Sequence, residues 1–127
     1  MSAEVSISIG LRWRDMDMLG HLNQAVYHEL LEEGRGALFT SLGGMSFPFV
    51  LVRVELDYRH EVRRDHGTVE VLTRVERVGG KSVTLAQEML LPDGTVAAAG
   101  SSVLVAWDPQ ARGARELTDD ERAALTA

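Results

Sequence analysis

The chain has 127 residues, enough for one domain with a real core. Its formal charge of −6 and its 45% hydrophobic content fit an ordinary soluble globular protein and leave no electrostatic footprint for nucleic-acid binding. It has no cysteine, which excludes disulfides, a thiolate nucleophile and a sulfur-ligated metal, and no apolar stretch approaches the roughly 20 residues of a membrane span. The opening MSAEVSISIG lacks a basic region followed by an apolar one, so no signal peptide is expected and the cytoplasm is the simplest location.

Val5, Ile7, Ile9, Leu11 and Trp13 alternate with polar or small residues, which predicts a strand ending at Asp15–Asp17. Gly20 then permits a sharp turn, and Asn23 is a good N-cap. From there Val26, Tyr27, Leu30, Leu31, Gly34, Ala37, Leu38, Ser41 and Leu42 recur at helical spacing. Glu29, Glu32, Glu33 and Arg35 are expected on the other face, and Gly43-Gly44 should end the helix. Nearly twenty residues make it about 30 Å long. Gly34 and Ala37 on its stripe suggest close approach to something flat.

A ten-residue alternation follows, with Val50, Val52, Val54, Leu56 and Tyr58 on one face. Further strands are expected over Thr68–Val78, Ser82–Leu91 and Thr95–Trp107, separated by short Gly-containing turns that force antiparallel hairpins. Ala97 to Gly100 are small, as suits a helix lying tight on the sheet. Thr118-Asp119-Asp120-Glu121 is a capping-box pattern opening a short terminal helix. The whole reads as α+β, one curved antiparallel sheet of about five strands around one long helix, in a single domain over 1–127. Leu51, Leu72, Leu90, Val103 and Val105 fall on the opposite strand face and predict burial against a copy of the chain.

The chemistry sits at the start of the helix. Asp17 lies a few residues from free backbone N–H groups, which with the helix dipole favour negative charge, including that on a carbonyl oxygen under attack. A carboxylate facing a helix N-terminus can hydrolyse an activated acyl group. Asp17 could equally cap the turn or neutralise Arg12 or Arg14, and Asp15 is expected to fix the loop. His21 is either an acid/base group or a loop-orienting one. The four histidines lack metal-ligand spacing, so no metal is expected. No G-x-S-x-G occurs. A P-loop reading of Arg77–Ser82 fails because Val75 stands where the first glycine is needed.

The stretch D-x-D-x-x-G-H-x-N-x-x-x-Y, at Asp15, Asp17, Gly20, His21, Asn23 and Tyr27, is followed by E-x-L-E-E-x-R at Glu29, Leu31, Glu32, Glu33 and Arg35. In these motifs the chain resembles the hot-dog-fold thioesterases of the 4-hydroxybenzoyl-CoA thioesterase type, and the later strands and the Gly80-Lys81-Ser82 turn fit as well. The resemblance implies an acyl-CoA thioesterase without cofactor, with Asp17 as nucleophile or general base. It implies that the backbone N–H of Gln24, with Asn23 beside it, holds the carbonyl oxygen. Gly20, His21 and Tyr27 would line the substrate site, and Arg77, Lys81 and Ser82 would hold CoA phosphates at a subunit boundary; a solvated turn is the plainer reading of that hairpin. Glu32 and Glu33 are a rival catalytic pair, because another hot-dog branch uses a helix carboxylate, or they form a polar face and an ion pair with Arg35. Met16, Met18, Phe47 and Phe49 are candidates for an acyl pocket or for core. The resemblance also implies a homodimer or homotetramer, with sheets joined edge to edge. The alternatives are an acyl-carrier-protein thioesterase and a non-catalytic acyl-thioester binding protein.

Overall fold

The apolar alternation of five segments is realised as one antiparallel sheet. The computed structural model describes residues 3–43 and 48–127. Strand β1 is Glu4–Gly10, helix α1 is Gln24–Ser41, and β2 is Phe49–Tyr58. Then come β3 (Thr68–Val78), β4 (Ser82–Leu90), β5 (Val96–Asp108), a two-residue β6 (Gly113–Ala114) and helix α2 (Asp119–Thr126). The strand order is β1-β3-β4-β5-β2, with β6 added beside β5. The short β6 was not foreseen. The terminal helix was, and Thr118 caps it by accepting from Glu121 N at 3.1 Å.

The inner face follows the pleat. Along β4, Val83, Leu85, Gln87 and Met89 are buried while their neighbours are half-buried. Helix α1 presents Tyr27, Leu30, Leu31, Gly34, Arg35 and Leu38 to this face. Two apolar clusters result, one around Tyr27, Leu31, Val71 and Met89, the other around Leu38, Leu85, Leu104 and Leu125. Gly34 is where the helix comes closest. A Cβ there would lie 2.6 Å from Val71 Cγ1 and 2.8 Å from Thr73 Oγ1.

A buried polar group belongs to the same interface. Gln87 Nε2 donates to Leu31 O at 3.0 Å and to Thr73 Oγ1 at 2.9 Å. Arg35 donates to Gln87 Oε1 at 3.2 Å and to Ser102 Oγ at 3.3 Å. Arg35 therefore turns inward, against the expectation that it shares the outer face with the glutamates. Among the described residues it forms no ion pair; burial lowers its pKa, and Glu32 opposes that from a distance. The sequence pattern missed it because a long side chain can carry its charge to a hydrogen-bonded interior position, which periodicity does not register.

Two further expectations change. Strand β1 stops at Gly10 rather than Trp13, because residues 13–15 form a 3-10 turn. In β2 a register shift between Leu51 and Arg53 places one extra residue in the strand. Leu51 pairs with buried Leu104 and so lies on the helix-covered face, though exposed there at the sheet edge, whereas Val50 pairs with Val105 and lies on the opposite face. Simple alternation had assigned both the other way. The small residues of β5 also divide their roles. Ala97 and Ala98 join the core beside α1, but a Cβ on Gly100 would collide with the Glu55 backbone of the neighbouring strand.

Strands β1 and β2 are the two edges of the five-strand path, and on β2 Val50, Leu51, Val52, Val54 and Tyr58 are exposed. Among the described residues no helix is long and apolar enough to cross a membrane. Gly44 and Phe47 lie outside the described residues.

Candidate active site

The site is assembled by two turns between β1 and α1. Leu11 N donates to Gly67 O at 2.9 Å, after which the chain leaves the sheet. Asp15 then holds it: its carboxylate accepts from Arg12 N and Arg12 Nη2, both at 2.8 Å. Its carbonyl accepts from Asn23 N at 2.8 Å. Burial pushes the Asp15 carboxyl up, but the bonds and charge of Arg12 outweigh this and leave it below the usual carboxylate range. Asp15, not Asp17, is the partner of Arg12.

Asp17 begins the second turn. Its N–H donates to His21 O at 2.8 Å, and Gly20 N–H returns to Asp17 O at 3.1 Å. Gly20 has φ +78°, a conformation that side chains disfavour. Asp17 Oδ1 accepts from Leu19 N at 2.9 Å and from His21 N at 3.0 Å. Asp17 thus does cap its turn, but with one oxygen only. Its Oδ2 makes no hydrogen bond among the described residues, and the carboxylate is exposed.

The helix entry is held in register with this turn, because Met16 and Leu22 are bridged and Leu22 N donates to Val62 O at 2.8 Å. Asn23 caps the helix, with Oδ1 accepting from Ala25 N at 3.0 Å. Both the side-chain oxygen and the N–H of Asn23 are therefore committed to structure. The Gln24 N–H has no partner among the described residues, as expected for the first residue of a helix.

Asp17 stands where two clefts meet. The first, of about 580 Å³, is lined by Asp17, His21, Gln24, Tyr27, Tyr58 and residues 59–61. Tyr27 and Tyr58 meet edge to face, with centroids 4.9 Å apart. Burial raises the Tyr27 phenol pKa, and Tyr58 and Asp17 add to the effect, so this phenol stays protonated. The second cleft, of about 740 Å³, lies on the other side of Asp17, between Trp13, Arg14, Met18, Asn23 and Arg64. Trp13 and Met18 are exposed in its lining. Among the described residues Arg14 and Arg64 form no ion pair, and they line this cleft together with the Asp17 carboxylate.

Asp17, Gly20, His21, Asn23, Gln24 and Tyr27 are thus brought together. Arg77, Lys81 and Ser82 are not. Gly10 and Thr68 pair near the Asp17 loop, whereas Val78 and Val83 pair beside the 79–81 turn. The length of β3 separates the two ends, roughly 33 Å at about 3.3 Å per residue. Glu32 and Glu33 are exposed and line neither cleft. Of the proposed acyl-pocket residues, Met16 and Met18 line the second cleft, Met16 also packing on the first core cluster, while Phe49 packs on the second cluster, stacked on Phe39. Tyr58, Glu61, Arg14 and Arg64 are site residues that the sequence reading did not place at the clefts. Only the fold brings Tyr58, Glu61 and Arg64 to the Asp17 loop, so no local motif could flag them; Arg14 lies three residues before Asp17 in the chain. Among the described residues no three His, Asp or Glu side chains gather as a metal site.

A curved antiparallel sheet around one long helix, with a carboxylate at the helix entry, is the hot-dog arrangement. The model of the Thioesterase-like superfamily matches residues 11–125, and the chain belongs to that family. A predicted thioesterase from Bacillus stearothermophilus is 30% identical, with TM-score 0.88 over 97% of this chain and 94% of its own. A thioesterase from Thermus thermophilus, solved with coenzyme A and Zn, is 27% identical, with TM-score 0.86 over 94% of this chain and 90% of its own. A Staphylococcus aureus protein solved with CoA shares the fold at 13% identity, with TM-score 0.86 over 98% of this chain and 82% of its own. No curated protein matches the sequence.

Proposed function

We propose that the protein is a cytoplasmic acyl-CoA thioesterase of the 4-hydroxybenzoyl-CoA thioesterase type, converting acyl-CoA and water to a carboxylic acid and CoA. The observation that carries this is the division of labour on Asp17. Oδ1 is anchored by two backbone N–H groups while, among the described residues, Oδ2 has no hydrogen bond, and the same cleft is lined by Gln24, whose N–H at the helix start likewise has no partner among the described residues. Oδ2 attacks the acyl carbon or takes a proton from the attacking water. The Gln24 N–H and the helix dipole receive the charge that develops on the carbonyl oxygen. Asn23 serves this donor by capping the helix.

The CoA-bound Thermus relative supports CoA as the carrier. Arg14 and Arg64 beside Trp13 give the second cleft a chemistry suited to phosphates, despite the net charge of −6. An acidic acyl carrier protein would use the same cations, which is the one observation favouring that alternative carrier. The bare apolar edge of β2 supports assembly as a homodimer or homotetramer.

A panel of acyl-CoA, acyl-N-acetylcysteamine and acyl-carrier-protein thioesters, read with a thiol-reactive dye, tests the reading. Release of thiol from acyl-CoA, lost in Asp17→Asn, is the expected result. Binding of the panel without release would make the protein a non-catalytic acyl-thioester binder. Light scattering at micromolar concentration should show a dimer or tetramer, and a monomer that hydrolyses thioesters would contradict a shared site.

A further inference from the structure

His21 is tied to Asp17 twice through its backbone, yet its side chain does something separate. Its Nε2 lies 2.8 Å from Glu61 Oε1. Glu61 is fixed in turn by Arg63 Nη1, 3.3 Å from Oε2, and Arg63 by Asp65 Oδ1 at 2.9 Å. The main chains of His21 and Arg63 are bridged, which brings the two loops together. The imidazole lines the same cleft as Asp17 and Gln24. Donation from Nε2 to a carboxylate fixes one tautomer and leaves Nδ1 as an acceptor. Nδ1 makes no hydrogen bond among the described residues.

From this geometry we infer that His21 is the proton carrier of the water-consuming step, and that Glu61 is its positioning residue. The inference rests on the proposed thioester hydrolysis and deepens it. As water oxygen bonds to the acyl carbon, one water proton passes to His21 Nδ1. The step is hydrolysis of the acyl–Asp17 anhydride formed once Asp17 has displaced the thiolate, which takes its proton from solvent; the Asp17 carboxylate is the leaving group and the imidazolium then gives its proton to solvent, so acid and thiol are formed and His21 is neutral again. Histidine exchanges protons near neutral pH, which suits it to this task. The carboxylate–imidazole contact stabilises the imidazolium formed in between.

The alternative is a staple that merely joins the two loops, and the chain allows a clean separation. The bonds by which His21 shapes the Asp17 turn are all backbone bonds, so His21→Ala leaves them in place. His21→Ala should lower kcat about a hundredfold, the scale of one acid/base group, with KM within about twofold. Added imidazole should restore part of the lost turnover, because the cleft is open to solvent. Glu61→Gln keeps a hydrogen-bonding side chain but no charge; it should lower kcat about tenfold with an unchanged melting temperature. The double variant should be no slower than His21→Ala alone, since Glu61 acts only through His21. Multiplicative losses, no recovery with imidazole, or near-normal turnover in either single variant would each overturn the inference. If Asp17→Asn abolishes thiol release while His21→Ala does not, the thioesterase reading stands and the proton carrier is elsewhere. A wild-type protein that releases no thiol overturns both.

Discussion

Replacing Asp17 by Asn separates the two things this residue does. The turn uses Oδ1, which accepts Leu19 N at 2.9 Å and His21 N at 3.0 Å. The amide oxygen of Asn can accept both, and its Nδ2 then occupies the solvent-facing position of Oδ2. The substitution should therefore change stability by less than about 0.5 kcal/mol, the scale of a neutral surface change. Asp17→Ala deletes both bonds and should cost roughly 1 kcal/mol, the low end for exposed hydrogen bonds. The chemistry depends on the charge. Both variants should lose at least about a hundredfold in kcat, equivalent to about 2.7 kcal/mol of transition-state stabilisation. Thiol release gives kcat, and urea melts followed by circular dichroism give stability. Near-normal turnover in Asp17→Asn would remove the carboxylate from the mechanism. Equal destabilisation of the two variants would show that the turn needs the charge and not the acceptor.

The remaining expectations concern the frame and the carrier. Gly34→Ala places a methyl group against the stiff side chain of Val71 and against Thr73, and should destabilise by about 1–3 kcal/mol in a urea melt, as overpacking does. Asp15 and Glu121 titrate below their usual range when folded, Asp15 through Arg12 in spite of burial and Glu121 chiefly through Arg115. Their stabilisation is therefore full above the unfolded carboxylate range, about pH 4, and is lost as pH falls through the lower folded values; melts across pH 7 to 2 should show a shallower acid limb in Asp15→Asn. If the 79–81 hairpin of a partner subunit holds carrier phosphates alongside Arg14 and Arg64, Lys81→Ala should raise KM for acyl-CoA with kcat nearly unchanged, less so at high salt, and should leave acyl-N-acetylcysteamine kinetics alone; equal KM effects on both substrates would make the hairpin structural.

The helix, the strands and the carboxylate turn were legible because each has a local cause. Apolar spacing marks α1, alternation marks β3 to β5, and Gly20 and Asn23 mark the entry to the site. The failures share a different origin. The extra residue in β2 inverts the faces of Val50 and Leu51, and nothing in VLVRVELDY signals a bulge. Arg35 looks like a surface charge until Gln87 and Ser102, contributed by two other strands, satisfy it. Glu61 is one more acidic residue in a charged loop until the bridge between His21 and Arg63 sets it beside the imidazole. In each case the deciding partner is remote in sequence, so periodicity and propensity carry no information about it.

The separation of Lys81 from Asp17 becomes intelligible in the proposed dimer. Two copies joined through β2 by a two-fold axis must pair that strand antiparallel to itself. The Tyr58 end of β2 belongs to the Asp17 cleft, and the Phe49 end lies toward the 79–81 hairpin, since Phe49 pairs with Ala106 and Val105 pairs with Ser82. Reversal therefore carries the hairpin of the partner subunit toward the end that holds this chain's Asp17. If that hairpin binds the carrier, it serves the other chain's carboxylate. A heterodimer of one Asp17→Asn chain and one Lys81→Ala chain, purified with two tags, distinguishes the arrangements. Sharing across the boundary leaves one site with both Asp17 and Lys81, so KM for acyl-CoA should be that of the wild type and kcat about half. If the hairpin served its own chain, the only site with Asp17 would lack Lys81, and the heterodimer would show the raised KM of Lys81→Ala.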